Sequence, residues 1–151
     1  MKKIIFLLLL LTTIYSCSKE TDDIVTNLEY TGKWELVKMT GSFIGSETTG
    51  SDMEWQETYD INEDETFTKT RVRGDSTKVA SGTYTFTEEG LMGNSESDIL
   101  HIEFLYNTNN ELIGTCYSDS TTEYLYFTSN NNLKSTYEAC DGPGLEYMKS
   151  K

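Results

Sequence analysis

Few side chains in this sequence are grouped in a way that supports chemistry. Cys116 and Cys140 form an even pair, which in an oxidising compartment suits a disulfide better than a metal site or a catalytic thiol. Closing that loop would stabilise the fold by roughly 3–4 kcal/mol through lost chain entropy in the unfolded state. His101 is the only histidine. Strand alternation puts it on a polar face beside Glu103, so an exposed histidine without a role is expected. A Ser-His-Asp triad would have to be built on it, and no strand–Gly-X-Ser-X-Gly–helix context exists. Zinc-ligand spacing is missing, so neither a metal nor a cofactor is expected. Asp60-X-Asn62-X-Asp64 opens like a calcium loop, but Glu65 replaces the turn glycine and Arg71 stands where a bidentate glutamate belongs. A hairpin turn is expected there. With 25 acidic residues, accidental carboxylate pairs are common, so glycoside hydrolysis is not inferred and the chain is not expected to be an enzyme. Glu57 stands apart because it shares strand parity with Trp55 and Tyr59. Facing inward, it needs hydrogen-bond partners or a wet cavity, and it could orient a ligand's hydroxyl or amine.

The third cysteine closes a different pattern. Lys2 and Lys3 supply a positive start, Ile4 to Leu11 is unbroken apolar sequence, and Ile14-Tyr15-Ser16-Cys17 follows. This resembles the signal peptide and lipobox of bacterial lipoproteins. The run is too short to span about 30 Å of hydrocarbon, which takes roughly 20 residues. The resemblance implies removal of 1–16, diacylglycerol on the Cys17 thiol, and anchoring through two or three acyl chains. Residues 17–27 then read as a polar, acidic tether. The expected address is the bacterial outer membrane, facing periplasm or cell surface, with the membrane as a partner through the Cys17 acyl chains.

The elements that must position any site are strands. One proline, abundant threonine and tyrosine and recurrent period-2 alternation give nine candidates: Lys33–Ser42, Met53–Asn62, Thr66–Gly74, Val79–Thr87, Asp98–Tyr106, Glu111–Tyr117, Thr122–Ser129, Asn132–Ala139 and Leu145–Lys149. Short polar turns between them imply hairpins in sequence order. Met53, Trp55, Tyr59 and Ile61 share one face, and Leu100, Ile102, Phe104 and Tyr106 another; Ala80, Tyr84 and Phe86 line up similarly. Strands with one buried face each close most simply as an all-β, antiparallel up-and-down meander, an 8- or 9-stranded barrel over residues 28–151. Nine hairpin-linked strands would leave the first and last parallel, so one segment is expected to fall outside the barrel. The sixth and eighth segments end at one rim, two ladders or about 9.6 Å apart. A disulfide of ordinary Cα spacing therefore needs at least one cysteine in a rim loop, most simply Cys140.

Thr31-Gly32-Lys33-Trp34-Glu35-Leu36-Val37 resembles the Gly-X-Trp opening strand of lipocalins. Tyr59 to Phe67, Ser81 to Phe86, and Cys140-Asp141-Gly142 with Tyr147-Met148-Lys149 are similar to lipocalin-like domains of bacterial lipoproteins. The resemblance implies that Trp34 plugs the closed end of the barrel and that Lys149, or else Lys151, supplies the cation packed on it. Losing Lys2 and Lys3 takes the formal net charge from −13 to −15. Such a surface repels nucleic acid and anionic headgroups, so neither is expected as a partner through charge. Two readings follow. In the first, the barrel binds a small, partly apolar ligand without catalysis, with Trp55, Glu57, Tyr59, Phe67, Tyr84, Phe86 and Phe104 as candidate wall residues. In the second, the interior is filled by side chains and the domain is an envelope protein-interaction module. Gly41–Ser51, the longest flexible loop by sequence, would be the module's contact surface in the second reading or the cavity's lid in the first. An open cavity favours the first reading and a packed interior the second.

Overall fold

The computed structural model describes residues 29–41, 43, 45–87 and 99–151. The signal peptide, Cys17 and the tether lie outside the described residues. Nine strands form in chain order: β1 (Gly32–Thr40), β2 (Thr48–Thr49), β3 (Gln56–Ile61), β4 (Thr66–Arg73), β5 (Ser76–Thr87), β6 (His101–Tyr106), β7 (Thr122–Phe127), β8 (Leu133–Ser135) and β9 (Gly144–Lys149). All neighbours pair antiparallel, and β9 returns to β1 to close an eight-stranded barrel; β2 is a two-residue addition beside the second half of β1. Closure leaves the ring no free edge along most of its height.

The meander and the closure are as expected, and the parity problem is resolved by Glu111–Tyr117. That segment is not a strand. Its backbone groups are taken up across the barrel mouth, where the Leu112 carbonyl accepts from Lys69 and the Gly114 N–H donates to Glu123. Alternating apolar residues alone cannot form a ladder when their main chain is committed elsewhere. Eight strands remain, so first and last run antiparallel. Asn132–Ala139 is also cut short: only Leu133–Ser135 pairs, and the chain then coils into a 3-10 turn at Tyr137–Cys140. Within the expected Gly41–Ser51 loop, Thr48 and Thr49 pair with β1 and Gly50–Asp52 forms another 3-10 turn.

Up-and-down connectivity gathers four connections at one end: 41–47, the β4–β5 hairpin, 107–121 and 136–143. Cys116 and Cys140 both lie outside strands, on the last two of these, and form a disulfide with Cα atoms 5.7 Å apart. We call this the disulfide end. At the opposite end Trp34 is 1% exposed. Its indole N–H donates to the Tyr30 carbonyl at 2.7 Å, and Phe127 meets its ring edge-on at 5.9 Å. Lys149 is its cross-strand partner, and the ammonium group reaches Glu29, 2.9 Å from its carbonyl and 3.5 Å from its carboxylate.

The hairpin expected at Asp60–Asp64 forms between β3 and β4. The Asp64 carboxylate accepts from the Thr66 N–H at 3.2 Å and from its hydroxyl at 2.6 Å. Gly82 is fixed by crowding, because a Cβ there would sit 1.9 Å from the Leu105 carbonyl oxygen and 2.9 Å from the Phe67 ring. Gly82→Ala is therefore expected to lower the urea unfolding free energy by about 1–3 kcal/mol. An unchanged midpoint would contradict the register of β4, β5 and β6.

Candidate functional site

Inward-facing positions on five strands of the ring converge in the half of the barrel nearest the disulfide. Period-2 alternation turns Glu57 and Tyr59 of β3, Phe67, Lys69 and Arg71 of β4, Phe104 and Tyr106 of β6, Glu123 of β7 and Tyr147 of β9 toward the axis. Lys69 is fully buried, as are the carboxyl groups of Glu57 and Glu123. Its ammonium group donates to the Leu112 carbonyl at 2.7 Å and to both Glu123 oxygens at 3.0 Å, and lies 3.1 Å from Glu57. It also sits 4.8 Å from the centre of the Tyr59 ring. Arg71, at the edge of the group, pairs with Glu57 through Nε and stacks over Trp55 at 4.4 Å.

The acceptors are equally well supplied. Glu123 receives the hydroxyls of Tyr59, at 2.8 Å, and of Tyr106, together with the Gly114 N–H at 3.1 Å. Glu57 receives the Tyr147 hydroxyl at 2.6 Å. Two carboxylates and two cations make the cluster formally neutral, which is the condition under which buried charge is tolerated. A Cβ at Gly114 would stand 2.7 Å from the Glu123 carboxylate, which would have to shift within the cluster.

This neutral cluster is organised to stay as it is. Burial would raise the Glu57 carboxyl, but Lys69, Arg71 and the Tyr147 hydroxyl overcome that effect and hold it below its ordinary value. The hydroxyls of Tyr59, Tyr106 and Tyr147 are pushed well above theirs, by burial first and by the neighbouring carboxylates second. The signs give two limbs of stability. A depressed carboxyl binds fewer protons folded than unfolded, so its contribution is present above the ordinary value of 4.5 and lost as pH falls below it. Raised phenols contribute below their ordinary value of 10 and lose that contribution as pH climbs past it. Thermal unfolding across pH is expected to show a plateau between those limits. In Glu57→Gln the acid limb flattens; an unchanged acid limb would show that Glu57 is not held ionised.

The candidate wall residues divide by position. Tyr59, Phe67 and Phe104 are 0–1% exposed and pack on one another, with ring centres 4.6 Å apart for Phe67–Phe104 and 4.9 Å for Tyr59–Phe104. Tyr84 is buried with its hydroxyl donating 2.6 Å to the Asn62 carbonyl, and Phe86 lies half-buried against Tyr30 at 4.7 Å. Trp55 is half-buried beneath Arg71, and among the described residues its indole N–H has no hydrogen-bond partner. Glu57 faces inward and is fully hydrogen-bonded. Of these, Tyr59 and Phe104 meet across the barrel, their ring centres 4.9 Å apart.

Lys69, Glu123 and Tyr147 were not picked out by sequence reasoning as inward residues, although parity with Phe67, Leu125 and Leu145 carries the signal; Tyr106 was placed on the Phe104 face without a role. His101 departs from expectation. It is 6% exposed, with Nδ1 2.9 Å from the Ile99 carbonyl, and burial lowers its imidazole below the ordinary value. Strand parity gives the face of a side chain but says nothing of what covers that face.

Two features lie outside the barrel interior at the disulfide end. A groove of about 490 Å³ runs between Lys78–Ser81 of β5 and the connection that follows β6, Asn107 to Leu112. Phe43 and Tyr117, on two of the rim connections, are 73% and 75% exposed. Among the described residues no helix is long and apolar enough to cross a membrane, and no group of three or more His, Cys, Asp or Glu side chains is placed to hold a metal. No family model, curated protein or solved structure matches the chain.

Proposed function

We propose that this chain is a non-catalytic interaction module of the bacterial envelope, a lipocalin-like domain anchored through acylated Cys17 whose barrel is filled by its own side chains. The observation that carries the reading is Lys69, fully buried and clamped between Glu57 and Glu123 where a ligand-binding barrel keeps its cavity. An apolar guest would have to displace a neutral, hydrogen-bonded ion cluster, leaving charge without partners at a cost of several kcal/mol. Binding is then the work of the disulfide end, where exposed Tyr117 lies on a loop tied by Cys116–Cys140 and exposed Phe43 on the connection that follows β1. Exposed aromatic side chains on a rigid scaffold suit protein contacts. The lipobox-like Ile14–Cys17 and the acidic tether support an outer-membrane address with the domain held off the bilayer. The alternative, a small apolar ligand inside the barrel, has the closed eight-stranded shape in its favour and the occupied interior against it.

Native mass spectrometry of the mature chain extracted in mild detergent tests this directly. The expected mass is that of the acylated polypeptide alone, with acylation absent in Cys17→Ser. A stoichiometric small molecule retained through purification would overturn the filled-barrel reading, and an unacylated wild-type chain would overturn the anchor.

A further inference from the structure

β4 and β5 outrun their neighbour. β5 pairs with β4 from Ser76 to Thr83, but with β6 only from Gly82 onward. The last main-chain bond on that side joins the Asn107 N–H to the Ser81 carbonyl at 3.0 Å. In an antiparallel ladder alternate residues direct both their N–H and C=O to the same side. Ser81 therefore fixes the direction of Val79 and Thr77: their main-chain groups point away from β4, toward the place β6 would occupy if it continued. Among the described residues no strand pairs with them there. The 490 Å³ groove lies along this same stretch, walled on its far side by Asn107 to Leu112. Val79 is 63% exposed and Val72, on the partner strand, 40%.

We propose that this open edge of β5 is a strand-addition site that takes an extended, cationic segment of a partner protein. The proposal rests on the reading of the domain as an interaction module and gives that module its site. Unpaired strand edges are templates for another strand, with main-chain bonds supplying affinity and flanking pockets supplying choice. An incoming strand would complete a three-stranded sheet on the β4–β5 hairpin. Its outward side chains would lie beside Val79, and its inward ones would enter the groove by Glu111. Charge selects the occupant. The mature chain carries a formal net charge of −15 once Lys2 and Lys3 are removed, so its field draws a basic segment in and repels a second copy of itself. Across the groove Glu111 is paired with the exposed Lys78 at 2.6 Å, so a cationic side chain of the incoming strand would compete with Lys78 for that carboxylate.

The probe is a synthetic octapeptide of alternating lysine and valine, with an acidic counterpart of alternating glutamate and valine, added to the full mature chain. Binding of the basic peptide is expected to slow hydrogen exchange at the Thr77 and Val79 amides about tenfold. Val79→Pro should abolish that binding while leaving the unfolding midpoint nearly unchanged, because the lost N–H faces the open edge and not β4. Basic-peptide binding with Thr77 and Val79 exchange unaltered would overturn the site. Equal binding of the acidic peptide would overturn the charge argument. Concentration-dependent protection of the same amides without peptide would replace the partner by a second copy. A small molecule found inside the barrel would defeat the interaction reading while leaving the exchange result standing, so the two failures are distinguishable.

Discussion

Lys69→Met is expected to lose about 3–5 kcal/mol of folding stability, the cost of leaving an uncompensated charge in a protein interior. The wild-type ammonium group is fully buried and serves Glu123, Glu57 and the Leu112 carbonyl at once. Methionine fills nearly the same volume, so packing changes little. What changes is that Glu57 and Glu123 face one another without the cation between them. Urea denaturation measures the loss. Two controls separate the cluster from general damage. Arg73→Met removes a solvent-exposed pair with Glu54, whose side chains are 62% and 53% exposed, and should cost less than about 1 kcal/mol. Combining Glu123→Gln with Lys69→Met should recover part of the loss, since Glu57 keeps its pair with Arg71 and no uncompensated charge remains. A Lys69→Met chain as stable as wild type would mean that the ammonium group is not held in the barrel.

Removing the disulfide has the next largest effect. Cys116→Ser with Cys140→Ser opens a link between residues 24 apart in sequence, worth roughly 3–4 kcal/mol in the chain-entropy description. The effect is not confined to chain entropy, because the loop tied down by Cys116 also delivers the Leu112 carbonyl to Lys69 and the Gly114 N–H to Glu123. Losing the tie should therefore speed hydrogen exchange at Gly114 before the strands open. It should also couple to Lys69: the combined variant is expected to lose less than the two losses added together, as groups sharing partners do. Strict additivity would mean that the loop and the ion cluster are independent.

The fold was largely legible because each strand with one buried face announces itself by alternation, and the short polar turns allow only neighbouring hairpins. The β1–β9 closure follows from that pattern, while the place of Trp34 came from the resemblance of Gly32-Lys33-Trp34 to a lipocalin opening strand. Glu111–Tyr117 misled because Leu112 and Ile113 look like strand residues, while its real constraints are a disulfide and two hydrogen bonds to groups far away in sequence. The candidate site was half legible. Glu57 could be singled out as an inward carboxylate needing partners, but those partners sit on β4, β7 and β9, and their convergence depends on barrel closure and stagger. Lys69 lies on the same parity as Phe67, yet a lysine on a strand reads as a solvated residue until its face is known. The open edge of β5 was hidden for a simpler reason: it depends on where β6 stops, and strand ends are set by loops more than by propensity.

The filled barrel can be tested most directly by nitrogen NMR of the lysine ammonium groups in the folded chain at neutral pH. A filled interior predicts one slowly exchanging ammonium signal, assigned to Lys69 by its absence in Lys69→Met, with contacts to the Tyr59 ring and unchanged when apolar ligands are added. Rapid exchange of every lysine ammonium group, or loss of the Lys69 signal on binding such a ligand, would contradict it.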